Sequence, residues 1–315
     1  MPDKNNYFKG SGTKGSPYLV SEPEQLEFIS KFPGCYFLQI KDLNLNNLAR
    51  PEDFKPISGR DQIYEAGFAG NYDGNGHRIT NLKVEAEKES SIGLFSYLFE
   101  EAVVKNLQLE DVELKGDEKV GGLAGGVARE AQIVNCSVSG RIEGNQAVGG
   151  LVGENDGYIE TSFADVEVRG LNDVGGLVGR NWFFAASLDY YLEDSLIRGV
   201  KEGAIVNCYA RGKVKGEKRV GGLTGFNYGL VENSFSAARI LEGKFYLGSL
   251  VGANFSGEIV NSYFNKSFSK LDREDENGIE LKDENMQEEG SFKGWDFDDV
   301  WCMNGKGFPR LKWEV

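Results

Sequence analysis

Short stretches in which hydrophobic and polar residues alternate recur along the chain, and each is closed by glycine. Val112-Glu-Leu-Lys-Gly116, Arg141-Ile-Glu-Gly144, Glu167-Val-Arg-Gly170, Lys213-Val-Lys-Gly216 and Arg239-Ile-Leu-Glu-Gly243 are copies of one such stretch. A second joins an aliphatic residue to a polar one two places on: Val104-Lys-Asn106, Ile133-Val-Asn135, Ile159-Glu-Thr161, Ile205-Val-Asn207, Val231-Glu-Asn233 and Ile259-Val-Asn261. A third begins at Ile92, Val120, Val148, Val174, Val220 and Leu247, mostly reads Val-Gly-Gly-Leu, and returns at intervals of 28, 28, 26, 46 and 27 residues. Period-2 alternation bounded by glycine predicts short strands, and a fixed period of this length predicts a solenoid. No 3.6-residue pattern separates the strands, so three strands per coil stack on their own equivalents, as in a parallel β-helix. The long interval holds an insertion over 182–203.

The strings Val148 to Asn155, Val174 to Asn181, and Val220 to Asn227 with Thr224, all of the form VGGLVGxN, resemble the GLUG motif of bacterial surface proteins. The segment from Phe68 to Leu82, and the end from Gly294 to Trp301 with Phe308-Pro-Arg-Leu311, resemble the flanks of such regions. The resemblance implies an all-β fold, a right-handed single-stranded parallel β-helix of about eight coils, with N- and C-terminal caps. The expected organisation is a single domain: an N-terminal cap over 1–35, coils over 36–270, and an acidic loop with an aromatic cap over 271–315. Ser21-Glu-Pro-Glu24 reads as a capping box opening a short helix, and Trp295, Phe297, Trp301, Phe308 and Trp313 as a plug for the last coil. The family includes adhesin-like regions and non-catalytic parts of IgA-specific metallopeptidases. The zinc motif of those enzymes is missing here: HExxH is absent and His77 is the one histidine.

Stacking turns equivalent residues into columns with rungs about 4.8 Å apart. The first residue of the second stretch faces inward. Two asparagine columns, one of Asn106, Asn135, Asn207, Asn233 and Asn261 and one of Asn155, Asn181, Asn227 and Asn254, read as amide ladders that satisfy one another. An aromatic column, Phe163, Tyr209, Phe235 and Tyr263, follows the first ladder by two places, and simple alternation puts it inward. On the third strand Lys115, Glu143 and Arg169 alternate in sign, as a solvated register device would. Cys136 and Cys208 share a column with Ser162 between them, so they stand two rungs apart, too far for a disulfide.

Forty-two glycines among 315 residues, with only 7 prolines, therefore punctuate folded structure. A net charge of −14 argues against a nucleic-acid partner, and no apolar run reaches membrane-spanning length. No cofactor is expected. Asp73-Gly-Asn-Gly-His77 reads as a turn; Asp272, Glu274 and Glu276 form a weak calcium candidate in a solvated acidic loop. Glu160 and Glu232, separated by Val206, do not supply the close carboxylate pair of a glycosidase. The reading that follows is a non-enzymatic, adhesin-like module, secreted or at the cell surface with a cytoplasmic chain as the alternative, that binds a protein or glycan. A carbohydrate-active enzyme on a β-helix is the alternative. Trp182, Phe183, Phe184, Tyr190 and Tyr191, at and within the insertion, are the candidate binding residues.

Overall fold

The computed structural model describes residues 7–58, 67–99, 101–182, 202–265, 267–268, 277–303, 305 and 307–315. Parallel strands wind over three faces of a solenoid. The longest sheet begins with Tyr18–Val20, Tyr36–Gln39 and Asn71–Asp73 and continues through Val103–Lys115, Gln132–Glu143 and their later equivalents. A six-stranded sheet runs from Phe95–Leu98 to Val251–Asn254, and a five-stranded one from Glu118–Gly121 to Phe245–Gly248. Strands before Phe95 stack on the long sheet and add no strand to the other two, so the expected eight coils become six, as counted by the six-stranded sheet. No helix among the described residues is long and apolar enough to cross a membrane.

Register follows the columns. Ile133 lies opposite Val104 and Ile159, and Glu143 lies opposite Lys115 and Arg169. Val104, Ile133, Ile159, Ile205 and Val231 are fully buried. Two residues on, the chain bends: Asn106, Asn135, Thr161, Asn207, Asn233 and Asn261 all take positive φ, between 44 and 53°. Asparagine tolerates this left-handed conformation better than most residues. The bend reverses the alternation, so Cys136, Ser162, Cys208 and Ser234 turn inward, and the serine Oγ atoms of 162 and 234 accept the amide hydrogens of Cys136 and Cys208. All four cysteines are free, and burial pushes the Cys136 and Cys208 thiols up, away from reactivity.

The same bend overturns the inward placement of the aromatic column. Phe163, Tyr209, Phe235 and Tyr263 face outward, separate from the solenoid interior, and Phe163–Tyr209 and Tyr209–Phe235 stack at 4.7 and 5.0 Å. The C-terminal segment covers them. Trp295 donates to the Asn261 carbonyl, Trp301 to the Asn207 side chain, and Trp313 to the Thr161 carbonyl. These partners run backward through the coils, so the tryptophans form a strap along one flank rather than a plug over the last coil. At the other end the short helix, α1 (Glu24–Ile29), buries Leu26 and Ile29. Ser21 does not cap it with its side chain; Gln25 Oε1 instead accepts from the backbone amides of Ser21 and Glu22.

Between the five- and six-stranded sheets the Val-Gly-Gly-Leu corner is steric. A Cβ on Gly149 would stand 2.1 Å from the Val152 oxygen, and one on Gly175 would stand 2.0 Å from the Val178 oxygen. Past this corner the second asparagine column forms a directional ladder. Asn155 Nδ2 donates to Asn181 Oδ1 (2.8 Å), Asn181 to Asn227 (2.8 Å), and Asn227 to Asn254 (2.9 Å). Each amide also donates to a glycine carbonyl, of Gly157, Gly203, Gly229 and Gly257 in turn. The 182–203 insertion does not interrupt it, because Trp182 N and Gly203 N donate to the Asn155 and Asp156 carbonyls.

Two predictions test this construction. Asn181→Leu strands a buried amide on each neighbouring coil and is expected to lower stability by about 3 kcal/mol in chemical denaturation; a loss below about 0.5 kcal/mol would mean that the ladder adds nothing. Glu143→Lys sets like charges on four successive rungs, from Lys115 through Arg169 to Lys215. Its expected cost is about 1 kcal/mol at low salt, shrinking in high salt, and a salt-independent melting difference would contradict the ladder.

Candidate functional site

The corner between the five- and six-stranded sheets also shapes an outer surface. Lys119, Ala147, Asp173, Arg219 and Tyr246 stand on equivalent rungs, each with φ between 52 and 57°. Across the corner the outward column is Gly126, Glu154, Arg180, Phe226 and Ala253. The two columns join through charge. Lys119 Nζ lies 2.7 Å from Glu154, Arg180 lies 2.8 Å from Glu154 and 2.7 Å from Asp173, and Arg219 also bonds Asp173. Asp173 is 1% exposed, held by two guanidinium groups that satisfy it.

Further along the axis the charges give way to rings. The Arg219 guanidinium lies 5.5 Å from the Phe226 centroid. Trp182 stacks on Phe226 at 5.5 Å and tilts against Tyr228 at 5.5 Å, and Phe226 stacks on Phe255 at 5.3 Å. On the last coil Phe245, Tyr246 and Phe255 are 63%, 54% and 47% exposed. Among the described residues Phe245 and Tyr246 have no ring partner, and Phe255 has one ring partner, Phe226.

Asp156 adjoins this strip, one rung before Trp182. Its Oδ1 is buried without a hydrogen-bond partner. Burial pushes its carboxyl up to about 7, and the Glu154 charge adds to the rise against Lys119, Arg129 and Arg180. Beside it Glu202, at the far root of the insertion, is 2.9 Å from Arg129. Between about pH 4 and pH 7 folded Asp156 keeps a proton that the unfolded chain has lost, so its contribution makes stability fall as pH rises through that window. Asp156→Asn, neutral throughout, is expected to match the parent near pH 4 and to exceed it above pH 7 by about 2 kcal/mol, with water access trimming the full penalty. Equal stabilities at pH 8 would show that Asp156 ionises freely.

Of the residues expected to bind, Trp182 stands in the strip, while Phe183, Phe184, Tyr190 and Tyr191 lie outside the described residues, as do Asp272, Glu274 and Glu276. Among the described residues no group of three or more His, Cys, Asp or Glu side chains is placed to hold a metal ion. Asp73-Gly-Asn-Gly-His77 is a turn with Asn75 and Gly76 at positive φ, and His77 Nδ1 lies 3.0 Å from Asp42. Glu160 and Glu232 flank Val206, two rungs apart. Sequence reasoning missed Tyr228 and Phe255, though the signal was present: the residues following the second ladder's asparagines are Asp156, Trp182, Tyr228 and Phe255.

The family model described as the GLUG motif matches residues 116–143. Halomucin of Haloquadratum walsbyi is 32% identical over 152 residues, covering 47% of this chain and 2% of halomucin. An immunoglobulin A1 protease of Streptococcus sanguinis is 31% identical over 155 residues, covering 47% of this chain and 8% of the protease. The chain thus spans a small part of the length of these relatives. A crystal structure from Bacteroides ovatus, described provisionally as an immunoglobulin A1 protease, superposes with a TM-score of 0.71 at 19% identity, covering 96% of this chain and 94% of that one. At that identity the likeness speaks for the fold.

Proposed function

We propose, from the premise that this chain carries the GLUG motif on a parallel β-solenoid and resembles parts of surface proteins, that it is a non-catalytic binding module, secreted or displayed at the cell surface. The observation that carries this reading is the outward row of Trp182, Phe226, Tyr228 and Phe255 at the root of the insertion. Phe255 is 47% exposed and the other three rings are half-buried; apolar surface left open on a folded chain marks an interaction site, and Trp, Tyr and Arg are the residues that dominate such sites. Two of the neighbouring carboxylates, Glu154 and Asp173 though not the unpartnered Asp156, support binding over catalysis. Glu154 is tied to Lys119 and Arg180, and Asp173 to Arg180 and Arg219, which leaves neither free to attack or to take up a proton.

Replacing residues 183–203 by a short glycine turn, as in the neighbouring coils, together with Trp182→Ala, tests this role. The probes are immobilised gastric mucin, fibronectin and soluble polysaccharides, run beside a polysaccharide depolymerisation screen. The parent is expected to be retained on at least one surface, and the variant to melt within a few degrees of it yet lose retention. Full retention by the variant, or release of oligosaccharide ends by the parent, would refute a non-catalytic site on this flank.

A further inference from the structure

The rings of the strip do not all present the same surface. Trp182, Phe226 and Phe255 lie nearly parallel at interplanar angles of 22 and 24°, so inside the row their faces are spent on one another. At the end of the row this changes. Phe255 stacks one face on Phe226 and has no second ring against the other, and Tyr246, one rung beyond Arg219, has no ring partner among the described residues. Between them on the wall sits the small side chain of Ala253, which follows Phe226 in the outward column. Arg219, at 23% side-chain exposure, stands one rung before Tyr246 and against the Phe226 ring.

We propose that this end platform binds a neutral glycan, with pyranose faces on Tyr246 and Phe255 and hydroxyls on the Arg219 guanidinium. An open aromatic face suits the C–H face of a sugar, whereas an edge does not, because the ring's negative potential lies over its face. The adjoining polar groups match the same ligand. Lys119, Arg180 and Arg219 are already paired with Glu154 and Asp173, so each of these three cations is neutralised before any anionic ligand arrives. The molecule's net charge of −14 further opposes acidic glycans.

This inference rests on the proposed binding role of the flank, and the experiment separates the two. Binding of the full chain to gastric mucin, before and after periodate cleavage of its vicinal diols, and to cellohexaose and chitohexaose, is measured for the parent, Tyr246→Ala, Phe255→Ala and Tyr246→Phe. Mucin binding that is lost on periodate treatment, at least one hexasaccharide bound, a tenfold or greater loss for each alanine variant at unchanged melting temperature, and retention by Tyr246→Phe are expected. Mucin binding that survives periodate but falls in the alanine variants would overturn the glycan and leave the flank in place. Binding indifferent to both alanine substitutions, or no binding to any probe, would overturn both.

Discussion

Each coil must turn a corner against a packed interior, and there the backbone cannot reach water to satisfy its amides and carbonyls. The Asn155–Asn181–Asn227–Asn254 ladder answers that constraint. Asn155, Asn181 and Asn227 each give one amide hydrogen to the next coil and the other to a glycine carbonyl at their own turn, and Asn254, the last rung, donates to Gly257. Because the ladder is directional and buried, a shift of any coil by one residue would leave an amide unpaired. Register is therefore set at the corner, and the columns elsewhere inherit it. The insertion at 182–203 is tolerated because it leaves after Trp182 and returns at Gly203, whose carbonyl accepts from Asn181 as Gly157 does from Asn155.

A fixed register makes like residues neighbours on the outside as well as within, and a solenoid has far more wall than end. Two aromatic rows result, with opposite fates. The row through Phe163, Tyr209 and Phe235 is roofed by Trp295, Trp301 and Trp313, and Tyr209 is closed in further by a hydrogen bond to Glu314. The row through Trp182, Phe226 and Phe255 has no comparable roof among the described residues and ends in rings that are half exposed. One chain thus displays both ways of handling a stacked apolar ladder: covering it for stability, or leaving it available.

Most of the fold was legible in the sequence because the repeat supplies its own alignment. The columns, the cysteine spacing and the charge register at Glu143 all follow from period alone. What period could not convey was the side on which a column lies. A left-handed residue at Asn135 or Asn207 shifts the alternation by half a cycle, and no propensity of the next residues, Cys136 or Tyr209, announces it. Nor does local pattern report where Trp301 docks, since its partner Asn207 is 94 residues away. The insertion's aromatics drew attention because they break the repeat, whereas Phe226, Tyr228 and Phe255 were hidden by lying inside it. The Asp156 environment was beyond reach for a different reason: burial of one carboxylate oxygen depends on packing from another rung.

The corner columns carry a further asymmetry. Both require a left-handed residue in every coil, a conformation that costs an ordinary L-residue about 1–2 kcal/mol. Along Asn106, Asn135, Asn207, Asn233 and Asn261 the chain uses asparagine, the residue that relieves this strain best short of glycine. Along the other it uses Lys119, Ala147, Asp173, Arg219 and Tyr246, and asparagine nowhere. Backbone strain left unrelieved must be opposed by something else in the structure. For Lys119, Asp173 and Arg219 the opposing interaction is the ion network with Glu154 and Arg180. Tyr246 has none: it is strained and exposed, and packs against no ring among the described residues. Ala147 takes the same φ with no ion network, so the wall itself sustains such strain, and what sets Tyr246 apart is a half-exposed ring with no ring partner among the described residues.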